Sequence, residues 1–169
     1  CGMIGIMFVC HGNICRSPMA EFILKDMLNK RGLAKHCRVA SCATSTEEIW
    51  GGHGSPMYPP AKAMLSAHGV PYTEREAVQL RARDYGEYDL LIGMDSANIR
   101  NMMRMLGGDP QGKIRRLMDF TDRGGDVADP WYSRNFDAAY RDIRDGCEGV
   151  LHWIEETEHF RLSEDRFGS

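Results

Sequence analysis

The segment from Met3 to Ser17 constrains the fold more than any other part of the chain, because an unbroken apolar run, Met-Ile-Gly-Ile-Met-Phe-Val, leads directly into Cys-His-Gly-Asn-Ile-Cys-Arg-Ser. The run shows little apolar–polar alternation. A strand of that kind is covered on both faces, as in a parallel sheet, whereas a half-solvated strand would alternate. Past the polar turn His11 to Arg16, Ser17-Pro18 has the chemistry of an N-cap and a first-turn proline. Ala20, Ile23, Leu24, Met27 and Leu28 then recur at helical spacing up to Gly32. A buried strand, a short polar turn and a helix in this order begin a doubly wound sheet, where ligands bind beyond the carboxyl ends of the strands. The turn from Cys10 to Arg16 is therefore placed to bind something.

The rest of the chain continues the alternation. Arg38 to Ala43 predicts a second strand, followed by a Gly-, Ser- and Pro-rich loop from Ser45 to Pro60. A helix over Pro60 to His68 stops at Gly69 with Pro71 beyond it, and Tyr88 to Met94 predicts a third, buried strand. Asp95-Ser96 starts a helix to about Leu106, Lys113 to Met118 predicts a fourth strand, and Asp119 to Arg134 is a loop rich in Asp, Gly and Pro. A final amphipathic helix spans Phe136 to Glu156, with Ala139, Ile143, Val150, Leu151 and Ile154 facing the core, and the polar tail after it is expected to be loosely held. The expected class is α/β, a parallel sheet flanked by helices on both faces. With 169 residues, 43% of them hydrophobic and 27% charged, the chain suffices for one core without disulfide or metal staples, and residues 1–169 are expected to form a single domain.

A net charge of -3 gives no general attraction to nucleic acid or to anionic membranes, so any anion site must be local. No apolar stretch near the N-terminus is long enough to span a bilayer, and none has the form of a signal peptide. The six cysteines show neither a CxxC pair nor zinc spacing, which suits free thiols in the cytoplasm. No cofactor or metal is expected, and a monomer is the working assumption. Cys1-Gly2, ahead of Met3, is taken as an appended or processed end without functional weight.

The turn itself has the spacing Cys, five residues, Arg. Successive backbone N–H groups there can converge on an anion, the following helix adds its unpaired donors, and Arg16 adds a planar clamp for phosphate oxygens. Gly12 and Asn13 tolerate the positive φ that a tight cradle requires. The same surroundings stabilise an anionic sulfur at Cys10. A cysteine and an arginine at this spacing would alone be better explained as a buried thiol in a turn. Strand, turn, capping serine, proline and helix together favour a phosphate site.

Val-Cys-His-Gly-Asn-Ile-Cys-Arg-Ser-Pro resembles the phosphate-binding loop of the low-molecular-weight protein tyrosine phosphatases. The likeness continues through Arg38 to Ser45, His68-Gly69-Val70-Pro71, Met94 to Asn98 and Asp129-Pro130-Trp131-Tyr132, and covers nearly the whole chain. It implies a four-stranded parallel sheet and metal-independent hydrolysis through a phosphocysteine intermediate. It also implies Cys10 as nucleophile, Arg16 on the phosphate, Asp129 as general acid, and His11, Gly12, Asn13, Ile14 and Cys15 as the cradle. Ser17 would then donate to the Cys10 sulfur, and Asn13 would hold the loop through hydrogen bonds involving Ser41 and His68. The resemblance further suggests a polar tie from Asp95 to Arg16, and Cys15 as a trap for oxidised Cys10. Without it, Asp129-Pro130 is ordinary turn chemistry, Cys15 a packing residue and His68 a favourable side chain at a helix C-terminus. Asp119, Asp122 and Asp126 are expected to be solvated.

The implied substrate is phosphotyrosine in a protein, with Trp131 and Tyr132 as an aromatic wall and His11 at the rim. Where many family members put an aromatic residue after the second strand, this chain has Glu47, and Trp50 three residues on is the alternative. Tyr58 is equally well explained by packing. Two relatives share the loop. Protein arginine phosphatases tend to have threonine where Ile14 stands. Arsenate reductases coupled to thioredoxin need further cysteines near the third strand, and none lies between Cys42 and Cys147. A noncatalytic phosphate-binding module would not need Cys10, Arg16 and Asp129 together.

Overall fold

The computed structural model describes the backbone of residues 3–167 and the side chains of residues 3–159; Cys1-Gly2 lies outside the described residues. In chain order the elements are β1 (Ile4–Cys10), α1 (Arg16–Lys30), β2 (Cys37–Ala43), a small hairpin of β3 (Ile49–Trp50) and β4 (His53–Gly54), α2 (Pro59–Ala67), and α3 (Asp84–Glu87). There follow β5 (Leu90–Gly93), α4 (Ser96–Leu106), β6 (Ile114–Arg116), a 3-10 turn (Leu117–Phe120), α5 (Pro130–Ser133) and α6 (Phe136–Phe167). β1, β2, β5 and β6 form one four-stranded sheet in the order β2-β1-β5-β6, all pairs parallel. The chain order reverses between β1 and β5, which makes the carboxyl end of β1 the topological switch point.

All of β1 is buried, as its lack of alternation predicted, and its side chains divide between two layers. Ile4, Ile6, Phe8 and Cys10 join the larger cluster with Met19, Ile23 and Leu24 of α1 and Ile143, Val150 and Ile154 of α6. Met7 and Val9 face the smaller cluster with Leu91 and Met102, on which Ile99 and Leu106 of α4 pack. Each fully buried Ile, Leu or Phe contributes roughly 1.5–3 kcal/mol relative to exposure, so the strand that ends at Cys10 is among the best anchored in the molecule.

Two glycines inside α6 have a specific reason. A Cβ on Gly149 would lie 2.1 Å from the carbonyl oxygen of Phe120, and one on Gly146 would lie 2.5 Å from Leu117. Mid-helix glycine costs roughly 0.5–1 kcal/mol relative to alanine. That cost lets the 3-10 turn lie against the helix and fixes where the next loop, which carries Asp129, begins.

The structure corrects several boundaries. The fourth strand stops at Arg116, because Leu117 and Met118 turn inward as a 3-10 turn. The last helix continues past Glu156 to Phe167 instead of giving way to a loose tail. Ser17 is not the N-cap of α1: Cys15 holds that position, without a side-chain cap, and Ser17 lies inside the first turn. Among the described residues no helix is long and apolar enough to cross a membrane.

Candidate active site

The loop after β1 is held from outside by its carbonyls. Cys10, His11 and Ile14 accept hydrogen bonds from the backbone N–H groups of Thr44 (3.0 Å), Ser45 (3.0 Å) and Tyr58 (2.7 Å). Because a trans peptide is planar, a carbonyl turned outward sends the next N–H the opposite way. The N–H groups of His11, Gly12 and Cys15 therefore face the inner side of the loop, beside the N-terminus of α1, where an anion is favoured. Asn13, not Gly12, takes the left-handed conformation, with φ of 57°. Its own N–H donates to the Cys10 sulfur at 3.3 Å, and the Ser17 hydroxyl lies 3.0 Å from the same sulfur. Displaced from the cap, Ser17 is freed to serve Cys10.

Asn13 is wholly buried and its amide is fully engaged. It donates to Ser17 Oγ (2.8 Å) and Ser41 Oγ (2.9 Å), and its oxygen accepts from the Val78 N–H (3.1 Å) and the Arg75 guanidinium. Ser41 in turn donates to Glu21 at 2.6 Å. The expected Ser41 contact is present, but His68 takes no part: its ring stacks on Tyr140 at 4.0 Å between centroids. Arg75 fills the place expected for it. The sequence offered little sign of this, since an arginine between Glu74 and Glu76 resembles a solvated charge run. It is turned inward because residues 78 and 80 bond to Ala43 at the end of β2. Burial pulls the Arg75 guanidinium below its ordinary pKa, against the charges of Glu21 and Cys10. Without the guanidinium the Asn13 oxygen keeps only the Val78 N–H, and a hydrogen bond from a charged group is worth roughly 1.5–3 kcal/mol. Arg75→Met is therefore expected to lower the thermal midpoint by several degrees and to reduce kcat more than it raises KM; unchanged kcat in a folded variant would show that Arg75 does not shape the loop.

Arg16 is almost entirely enclosed. Its Nη1 donates to Asp95 Oδ2 (2.7 Å) and to the Val127 carbonyl (2.8 Å), and its Nη2 lies 3.5 Å from Asp129 Oδ2. The expected tie to Asp95 is present. Asp95 also caps α4 through the Asn98 N–H, so one carboxylate fixes both a helix and the guanidinium. Burial would lower the Arg16 pKa, but Cys10, the Asp95 hydrogen bond and the charges of Asp95 and Asp129 outweigh it and hold it above the ordinary value. Val127 also donates to the Met94 carbonyl at 2.8 Å. Asp119, Asp122 and Asp126 are exposed, as expected; Asp119 and Asp126 also pair with Arg116, and Asp126 accepts from Ser96 as well. The loop leading to Asp129 is thus pinned to α4 on one side and to Arg16 on the other. Asp129 caps the short helix α5 by accepting from the Trp131 N–H at 3.0 Å.

These side chains converge on a cavity of about 160 Å³ lined by Cys10, His11, Gly12, Ile14, Cys15, Arg16, Glu47, Glu48, Tyr58, Asp129, Trp131 and Tyr132. Trp131 and Tyr132 are there as expected. Tyr58 joins them by packing against Trp131, with ring centroids 5.3 Å apart. Trp50 does not line the cavity and is 63% exposed, so it does not replace the missing aromatic. Glu47 occupies the rim, 3.0 Å from His11 Nε2. Cys15 also lines the cavity, and its thiol is pushed up to about 12, by burial first and then by the negative charges of Cys10 and Asp129, against Arg16.

Fold and site together define a doubly wound α/β protein that brings a cysteine, an enclosed arginine and an aspartate into one small cavity at the switch point. Residues 5–159 match the model of the low molecular weight phosphotyrosine protein phosphatases. The chain is 36% identical to the low molecular weight protein-tyrosine-phosphatase YfkJ of Bacillus subtilis, over 91% of this chain and 97% of that one. It is 31% identical to the phosphatase PtpA of Staphylococcus saprophyticus, over 94% and 99%. The crystal structure of YfkJ superposes with a TM-score of 0.84, covering 93% of this chain and 98% of that one at 35% identity. That of SP-PTP from Streptococcus pyogenes superposes with a TM-score of 0.78, covering 93% and 99% at 34% identity. The chain belongs to the low molecular weight phosphotyrosine protein phosphatase family.

Proposed function

We propose that this chain, acting as a single domain, hydrolyses phosphotyrosine in proteins through a phosphocysteine intermediate. The observation that carries the reading is the convergence of Cys10, Arg16 and Asp129 on one cavity, with Arg16 enclosed by the carboxylate of Asp95 on the side away from the reaction. The cavity is comparable with the roughly 150 Å³ that holds a benzene ring, which suits one aryl phosphate end-on. The Cys10 sulfur attacks phosphorus while the bond to the phenolic oxygen breaks, and Asp129 in its acid form gives that oxygen its proton. Loop N–H groups and Arg16 take the charge on the phosphoryl oxygens. Water then attacks phosphorus, its proton passes to the Asp129 carboxylate, and the P–S bond breaks with the sulfur leaving as thiolate. The Ser17 hydroxyl, 3.0 Å away, donates to that departing sulfur.

Comparison of kcat/KM on phosphotyrosine, phosphoserine and phosphoarginine peptides, with EDTA present, tests this reading. Phosphotyrosine is expected to lead, because Tyr58, Trp131 and Ile14 offer a ring wall that a short seryl stem does not reach. A preference for phosphoarginine would overturn the substrate assignment, and activity only with added metal would overturn the mechanism.

A further inference from the structure

The cavity takes one aryl phosphate, so the residues that flank a phosphotyrosine must lie across its rim. That rim has walls of different chemistry. One is aromatic, with Trp131 51% and Tyr132 83% exposed. The other is acidic, formed by Glu47 against His11 and by Glu48, whose stem lies next to Gly12. Two carboxylates beside the entrance of a pocket for a phosphate dianion repel that dianion as it approaches. The charge is also held in place. The Glu47 N–H donates to Ser45 Oγ (3.0 Å), the Glu48 carbonyl accepts from the Ser55 N–H (2.8 Å), and Ser55 Oγ donates to the Glu48 carboxylate (2.7 Å). Ser55, just past the β3–β4 hairpin, therefore fixes the Glu48 carboxylate at the mouth, and His11 holds that of Glu47. The Glu47 side chain remains 71% exposed, within reach of an approaching cation.

On the reading that the pocket takes phosphotyrosine, we propose that Glu47 and Glu48 select protein segments carrying lysine or arginine beside the phosphotyrosine. A neighbouring cation converts the acidic wall from an obstacle into a partner. Rim charges of this kind act on encounter and partner choice more than on total affinity, and they weaken with salt.

The test uses phosphotyrosine peptides of one length with Lys, Gln or Glu on both sides of the phosphotyrosine. A further peptide has the two lysines moved five residues away. Exposed ion pairs are individually weak, but two attractions replace two repulsions between these peptides, so the Lys-flanked peptide is expected to exceed the Glu-flanked one in kcat/KM by about tenfold at low salt. The margin is expected to shrink as salt rises and when the lysines are moved away. In the E47Q/E48Q variant the ratio is expected to fall towards one, and in E47K to reverse. The readout is a ratio on one enzyme, so a general loss of activity in a variant cancels. Equal rates on all peptides, with phenyl phosphate hydrolysed normally, would overturn this inference alone. Failure to hydrolyse phenyl phosphate would overturn the phosphatase reading and this inference with it.

Discussion

Cys10→Ser is expected to lower phosphatase turnover by on the order of 10⁴-fold or more, the scale on which loss of a covalent nucleophile is felt in enzymes. The change replaces sulfur by oxygen at the end of a strand whose residues are all buried, and a serine fits that space without a cavity. The loop has reasons to keep its form: its carbonyls are held by Thr44, Ser45 and Tyr58, and Asn13 by Ser41 and Arg75. A seryl hydroxyl ionises far less readily than a thiol, and the groups bonded at this position, the Ser17 hydroxyl and the Asn13 N–H, are not bases that would remove its proton. These groups stabilise an anion and do not accept a proton. The variant is therefore expected to be folded, to bind inorganic phosphate or vanadate, and to accumulate no phosphoenzyme. Isothermal titration with vanadate beside rapid-quench labelling separates these properties. Substantial turnover in Cys10→Ser would place the chemistry on another group, and loss of both binding and the thermal transition would mean that the sulfur is needed for the loop to fold.

The parts of this site that were readable in the sequence are those held by neighbours along the chain. The buried strand, the Cys-x5-Arg turn and the helix after it are local, and so is Asp129 at the head of α5. The support beneath the loop is not local. Arg75 reaches Asn13 only because the segment after it bonds to the end of β2, and no periodicity marks a lone arginine between two glutamates. His68 shows the reverse error, since a histidine at the expected place in a motif was drawn off by a ring, Tyr140, that arrives from α6. Ser17-Pro18 had the form of a cap and first-turn proline, but the loop's closure around Cys10 shifts the helix start back to Arg16 and gives the serine hydroxyl to the sulfur. The rim is legible only in composition. Glu47 stands out against the family pattern, yet its partner His11, the anchoring of Glu48 and the absence of Trp50 from the cavity all depend on how the β3–β4 hairpin folds back.

Asp129→Asn is expected to slow hydrolysis by about 10²- to 10⁴-fold, the usual contribution of a positioned acid, and the size of the loss is expected to depend on the leaving group. Asparagine caps helices as well as aspartate does, so its side-chain oxygen can still accept from the Trp131 N–H and keep α5 in place. What it lacks is the proton for the departing oxygen and, in the second step, a base for water. It also removes one of the carboxylates facing Arg16, but Asp95 and the Val127 carbonyl still hold that guanidinium at 2.7 and 2.8 Å, and phosphate binding is expected to survive. A phenolate that is already a good leaving group needs little protonation, whereas unsubstituted phenol or tyrosine needs much. Across a series of substituted phenyl phosphates the wild-type rate is therefore expected to vary little with phenol pKa, and the variant's rate to fall steeply as that pKa rises. A parallel dependence in both proteins would show that Asp129 is not the proton donor, even if the variant is slow, because a misplaced loop would tax every substrate alike.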